Sequence, residues 1–285
     1  MSAGPCVCPQ SPVAEPPVEL LTNPRADRVR QVRALATPAV RRRTGRFLVE
    51  GPQSVREAVA APSVTVHAVY LTQASADRYP EIASTAHQRG ALHLATDEVL
   101  AAMSRDAQDV VAVADPVDVR VDQALAGRPQ LVAVLVDVRD PGNVGTVIRT
   151  ADAAGADAVV LSETCADPHN PKVVRASAGS LFHIPVATGV PVASLVSTLH
   201  DAGVQVLAAA GDGDHNLADA TASAPTAWLF GNEAHGLPAD ILAAADATVA
   251  IPIYGQAESL NLAAAAAVCL YTTAMRRSGS QPHRR

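Results

Sequence analysis

Three short polar stretches interrupt an apolar C-terminal half, and each falls where a strand-like run hands over to a helix-like one. The first is Asp137–Asp157, DVRDPGNVGTVIRTADAAGAD, in which Asn143 and Arg149 stand six residues apart. An arginine among Val147, Ile148 and Ala151 is costly to bury unless it meets an anion or a carboxylate. The second is Trp228–Pro238, WLFGNEAHGLP, where Gly231 permits close backbone approach and Asn232 and Glu233 follow it. The third is Ile251–Tyr271, IPIYGQAESLNLAAAAAVCLY, where Glu258, Ser259 and Asn261 crowd the start of an apolar helix. The first amides of a helix lack intrahelical partners, so such a start suits a small molecule or an anion. Each stretch alone also has a plain structural reading. DPGN can be a turn, Arg149 can pair with Asp152 or Glu233, NEAHG can begin an ordinary helix, and Ser259 can cap a core helix.

Other chemistries find less support. The cysteines are Cys6, Cys8, Cys165 and Cys269; no second pair has metal-ligand spacing, so no metal site is expected. Cys269 reads as a small buried hydrophobe. The net charge of −6 argues against a general nucleic-acid coat protein, yet Arg25 to Arg46 holds eight arginines against the single acid Asp27. Arg25, Arg28, Arg41, Arg42, Arg43 and Arg46 are therefore candidates to grip RNA phosphates. A solvated charged helix is the competing reading. No unbroken apolar run reaches membrane-spanning length and no signal-peptide layout opens the chain, so a soluble protein in the reducing cytoplasm is expected.

The elements that must hold these residues follow from hydrophobic period. Residues 1–17, rich in Pro, Ser and Ala, read as disordered. Val18–Leu35 reads as an arginine-rich helix and Arg41–Arg46 as an exposed run. Strands are expected at Phe47–Gly51, Val64–Leu71, Leu92–Ala95 and Val110–Ala114, with helices at Gln53–Ala60, Ala76–Arg89 and Asp97–Met103, the last capped by Thr96. Together they make a small α/β unit over 18–115, followed by a Pro- and Asp-containing linker over 116–130. The larger unit, 131–276, opens on Leu131–Val138, a continuous apolar run of the kind buried on both faces of a parallel sheet. Further strands are expected at Ala158–Leu161, His183–Ala187, Val204–Ala209, Ala227–Phe230 and Ala247–Ile253. Helices are expected at Thr146–Ala154, Asn170–Ser180, Val192–Ala202, Pro238–Ala245 and from Ser259 onward, the last apolar all round and so buried. This alternation predicts an α/β fold, a mainly parallel sheet with helices on both faces, with a polar tail at 277–285. In such sheets ligands bind beyond the carboxyl ends of the strands, where all three polar stretches fall.

In this order and spacing the three stretches resemble the signature motifs of the SpoU/TrmH-type RNA 2′-O-ribose methyltransferases of the SPOUT superfamily, over roughly Leu131–Met275. FLVEG at Phe47–Gly51 with its following helix also resembles the start of the substrate-binding domain often attached to that family. The chain departs from the family at Ala107-Gln108-Asp109, where Pro-Gln-Gly is common. The resemblance implies methyl transfer from S-adenosylmethionine to a ribose 2′-hydroxyl of structured RNA, rRNA before tRNA, by a homodimer with active sites at the subunit interface. It implies a C-terminal trefoil knot made by Leu229–Gly236 and Ile251–Asn261, with Gly231, Ile251 and Leu260 lining the methyl donor. It also implies catalytic work for Arg149, Asn143, Glu233, Ser259 and Asn261, with no metal. Two alternatives keep the fold: a non-catalytic RNA-binding protein, and a knotted base methyltransferase. A nicotinamide enzyme fits poorly, because no G-x-G-x-x-G follows the first strand of the larger unit.

Overall fold

A computed structural model describes residues 20–219 and 225–277. The expectations for 1–17 and for 278–285 lie outside those residues, as do Cys6 and Cys8. Two sheets organise the chain. The first is built from β1 (Leu20–Leu21), β2 (Phe47–Glu50), β3 (Val66–Leu71), β4 (Leu92–Ala95) and β5 (Val110–Ala114), in the order β1-β4-β3-β5-β2. Its helices are α1 (Asp27–Ala34), α2 (Pro38–Thr44), α3 (Pro52–Ala60), α4 (Gln73–Arg78), α5 (Pro80–Gln88) and α6 (Asp97–Met103). β5 runs antiparallel to both its neighbours, whereas β1, β4 and β3 are parallel. Next comes α7 (Val121–Ala124).

The second sheet holds β6 (Leu131–Leu135), β7 (Ala158–Ser162), β8 (Val186–Val190), β9 (Gln205–Ala209), β10 (His215–Asn216), β11 (Thr226–Phe230) and β12 (Ala247–Ala250). Every pairing is parallel, in the order β10-β12-β9-β11-β6-β7-β8. Its helices are α8 (Pro141–Ala153), α9 (Pro171–Ser177), α10 (Val192–Asp201), α11 (Ala239–Ala244) and α12 (Leu262–Arg277). The period of two along β6 sorts its residues cleanly. Leu131, Ala133 and Leu135 pack with α8, α9 and α12, while Val132 and Val134 pack with α7, α10 and α11. Burial on both faces explains the unbroken apolar run. The first of these clusters continues through Phe47, Val49 and Ala112 into the first sheet, so the two sheets share apolar packing.

Several expected boundaries shift for local reasons. The helix expected over Ala76–Arg89 is two helices, because the Pro80 ring cannot continue α4 and instead opens α5. Leu20 and Leu21 pair with β4 rather than joining the arginine-rich helix, which begins only at Asp27 after Pro24. The expected linker carries α7 and a bridge from Val119 to Ala187 beside β8. α12 is not buried all round: Cys269 and Leu270 are fully covered, but Tyr271 is 40% and Met275 67% exposed.

Candidate active site

The site starts at the carboxyl end of β6. Asp137 takes a left-handed backbone, φ 57°, rare for a residue with a side chain. Its N–H donates to Ser162 Oγ at 3.0 Å, and its carbonyl accepts Asn232 Nδ2 at 2.9 Å. Three residues later Asp140 caps α8 by accepting the Asn143 N–H at 2.8 Å, with Pro141 as the first helical residue. The helix therefore begins five residues before the expected Thr146, and Asn143 belongs to its first turn.

Asn143 lies between the other two stretches. Its Nδ2 donates to Glu233 Oε1 at 2.5 Å, and its Oδ1 accepts Asn261 Nδ2 at 3.1 Å. Asn261 Oδ1 in turn accepts the Ala263 N–H at 2.9 Å, so Asn261, not Ser259, caps α12. These bonds fix each other's sense. The cap occupies the oxygen of Asn261, leaving its amide nitrogen for Asn143 Oδ1, and Asn143 must then offer its own nitrogen to the carboxylate. Glu233 reaches this position from a closed turn: Asn232 N–H donates to Gly236 O at 3.0 Å and Gly236 N–H to Asn232 O at 2.8 Å. Gly231 has to be glycine, since a Cβ there would sit 2.3 Å from the Gly236 carbonyl carbon.

Beside this relay lies a cavity of about 400 Å³. Gly231, Ile251 and Leu260 line it, as do Glu233, Ser259 and Asn261. Ala209, the last residue of β9, and Ala210 and Gly211 after it form a wall with no polar side chain to mark it in the sequence. The chain leaving β9 is held against β12, with Ala210 N–H donating to Val249 O at 3.1 Å and Leu217 N–H to Ala250 O at 2.9 Å. A Cβ on Gly213 would come within 2.7 Å of the Val249 backbone. The roles of Asp140 and Asn232 also escaped the sequence reading; an Asp directly before Pro at a strand end is a helix-start signal that could have found the first.

Arg149 stands apart. It is exposed, does not line the cavity, and makes no hydrogen bond or ion pair among the described residues. Six residues on from Asn143 it is turned roughly 120° away around α8 and lies about 9 Å along it. The expected burial cost, and the alternative pairing with Asp152 or Glu233, both fall away. Asp152 instead faces His183 Nδ1 at 3.0 Å, whose Nε2 meets Glu57 Oε2 at 3.0 Å. Burial disfavours a charged imidazole here, but the hydrogen bonds that His183 donates to Asp152 and Glu57 outweigh it and raise the His183 pKa above its ordinary value.

Of the arginines expected at the RNA surface, Arg25, Arg28, Arg42, Arg43 and Arg46 are exposed. Arg41 is not: it is buried and bound to Asp167, so its assignment as an exposed RNA contact is corrected. Among the described residues no group of three or more His, Cys, Asp or Glu could hold a metal ion, and no helix is long and apolar enough to cross a membrane.

Residues 130–271 match the SpoU rRNA Methylase family, and residues 26–112 match the MRM3-like substrate binding domain. The 23S rRNA (guanosine(2553)-2′-O)-methyltransferase RlmP of Bacillus subtilis is 34% identical over 254 residues, covering 88% of this chain and 97% of that protein. The chain belongs to the SpoU rRNA methylase family. Solved members share its architecture. The AdoMet-bound rRNA methyltransferase from Sinorhizobium meliloti superposes with a TM-score of 0.81 at 31% identity, over 92% of this chain and 99% of that one. The SpoU methyltransferase AviRb from Streptomyces viridochromogenes, in complex with AdoMet, gives 0.77 at 30% identity, over 90% and 100%. The cavity suits that cofactor on its own evidence. Its volume falls within the range of small-molecule sites, apolar Ile251 and Leu260 line it, and Gly231 leaves the backbone open to close approach.

Proposed function

We propose that this protein transfers a methyl group from S-adenosylmethionine to a ribose 2′-hydroxyl of ribosomal RNA. The observation that carries the reading is the relay Asn261–Asn143–Glu233, which draws three distant stretches to the mouth of one cavity at the carboxyl ends of a parallel sheet. Gly231, Ile251 and Leu260 would hold the cofactor, which when bound supplies an electrophilic sulfonium methyl. A ribose hydroxyl is a weak nucleophile and needs placement and a favourable anion environment. Asn143, held on both sides, would orient the ribose, and Glu233 would fix the sense of the Asn143 amide. Ser259 forms no hydrogen bond among the described residues, which leaves its hydroxyl available to substrate or cofactor. A guanidinium is a donor with no acceptor capacity and makes a poor base. The role of Arg149 is to bind the neighbouring phosphate and stabilise the developing oxyanion, while the hydroxyl proton passes to solvent water.

Two features support an assembly around that chemistry. β12 lies between β9 and β10, with the segment from Ala210 to Leu217 held outside it, an order that supports a C-terminal knot over Leu229–Gly236 and Ile251–Asn261. The exposed apolar residues Ile253, Tyr254, Leu260, Val268, Tyr271 and Met275 support a homodimer. A site at a subunit interface would offer Arg149 a reacting ribose that its own cavity does not. Residues 18–115 would bind RNA through Arg25, Arg28, Arg42, Arg43 and Arg46, linked by 116–130 to a methyltransferase unit over 131–276, and the free Cys165 and Cys269 suit the reducing cytoplasm.

The test is incorporation of labelled methyl from S-adenosylmethionine into rRNA, followed by nucleoside digestion. Label on ribose is expected, and Arg149→Ala should lower turnover by about 100-fold or more while cofactor affinity holds. Label on bases would overturn the reaction type, and equal turnover by the variant would overturn the role of Arg149.

A further inference from the structure

Arg41 spends its whole guanidinium on protein. It is 5% exposed, its Nε and Nη2 donate to Asp167 Oδ2 at 3.1 and 2.6 Å, and its Nη1 donates to the Leu35 and Ala36 carbonyls at 3.0 and 2.9 Å. Leu35 and Ala36 close α1, beside the first sheet, whereas Asp167 lies in the loop after β7, in the second. Asp167 is itself held: its Oδ1 accepts the His169 N–H at 2.8 Å. His169 Nε2 accepts the Val117 N–H at 3.1 Å, and the imidazole ring lies 4.7 Å from the Phe47 ring of β2. Burial works against charge on Asp167, but the hydrogen bonds from His169 and Arg41 prevail and hold its carboxyl well below the ordinary carboxylate range.

The path from this pair to the site is short. Ala166, adjacent to Asp167, donates its N–H to Val138 O at 2.9 Å, and Val138 lies two residues before Asp140, the cap that sets Asn143. On the other side, Arg42 and Arg43 follow Arg41 on α2 and are exposed. Fixing one residue of a helix fixes the directions of its neighbours. Arg41 is buried while Asp167 stays partly exposed, and an ion pair removed from water on one side contributes little net stability, fixing register being its better-attested use. The ion pair of Glu50 with Arg175 and the hydrogen bond of His183 to Glu57 add polar bridges between the same two halves.

The geometry points to Arg41 as a positioning residue: its pair with Asp167 sets the span between the RNA-gripping arginines and the Asn143–Glu233–Asn261 site, and so selects which ribose of a bound RNA is presented. This rests on the proposed function. The experiment compares the full chain with Arg41→Gln, Asp167→Asn and the double variant Arg42→Ala/Arg43→Ala on rRNA. It reads cofactor affinity by calorimetry, RNA affinity against salt, kcat, KM and the position of each methylated ribose.

Arg41→Gln and Asp167→Asn should keep cofactor affinity and the salt slope while kcat falls by about 100-fold, as a misplacement near 1 Å does, and label should spread to neighbouring riboses. The Arg42/Arg43 double variant should instead lower the salt slope by about 2 and raise KM, with the methylated position unchanged. An unchanged kcat and position in Arg41→Gln overturns the proposal. So does a salt slope reduced as in the double variant, or a loss of cofactor binding in both latch variants, which would make the pair a folding element. If the wild-type chain methylates no ribose, the functional reading falls, and small-angle scattering alone then decides the latch. A larger radius of gyration in Arg41→Gln supports it, and equal radii overturn it.

Discussion

At the scale of single residues, the relay makes a sharp distinction between two conservative changes. Asn143→Asp would set a carboxylate against Glu233 and remove the donor that orients the site. Methyl transfer in single-turnover assays should fall by about 100-fold. Glu233→Gln keeps an acceptor for Asn143 and should lose about ten-fold or less. His183 gives a pH signature. Its two carboxylate partners favour the charged ring, so its contribution to stability is complete below the ordinary histidine pKa of about 6.5 and fades as pH rises through the raised folded value. The melting temperature of the wild-type chain should therefore drop over that rise, and that component should be absent in His183→Gln. Asp109 is a third case. It sits at φ 64° after Gln108 at φ 46°, a left-handed pair in the tripeptide where the family often ends on glycine. Asp109→Gly should raise stability by about 1 kcal/mol, read from denaturant or thermal unfolding. The candidate residues could be proposed from their resemblance to the family's motifs, but their partners could not be read from the sequence. Arg41 and Arg42 are adjacent and chemically identical in the sequence, and only the position of Asp167, 126 residues away, separates a buried, paired arginine from an exposed one.

At the scale of elements, what could be read was what period and caps encode. Leu92–Ala95, Asp97–Met103 and Val110–Ala114 fall where expected, because an apolar alternation, a Thr96 cap and a β-branched run each mark their element locally. The side chain of Thr96 does accept the Val99 N–H. β1 and β10 were not expected; two residues carry no period, and each exists only because β4 or β12 offers an edge. The third polar stretch shows the same limit. Ser259 and Asn261 are both good caps in isolation, and Asn261 is the cap because α12 begins at Leu262, which leaves its amide nitrogen for Asn143. The turn after β11 offers a direct check. Gly231→Ala forces its new methyl into the Gly236 backbone, so the closed turn must open. Calorimetry should show loss of S-adenosylmethionine binding by about ten-fold or more, whereas Gly155→Ala, with open space at its Cβ but φ 69°, should cost only about 1 kcal/mol of stability.

At the scale of the whole molecule, half of α12 waits for a cover. Tyr271 and Met275 face solvent on a helix whose other side is core. Introducing charge there, as in Tyr271→Glu, should leave secondary structure intact and convert the proposed dimer to a monomer in sedimentation equilibrium. An unchanged mass would place the partner surface elsewhere. The strand order also dictates a history for the chain. β6 pairs with β11 through Leu131 and Thr226, residues far apart in sequence, so loop closure must precede most of the sheet's reward. β12 pairs with β9, which the preceding chain has already supplied, and β10 can form only once β12 offers its edge. Until β12 is in place, the cavity lacks the wall that carries Ile251 and Leu260. Refolding from denaturant should be slow, and a bulky domain fused after Arg285 should slow it further while leaving the equilibrium stability of the finished protein nearly unchanged.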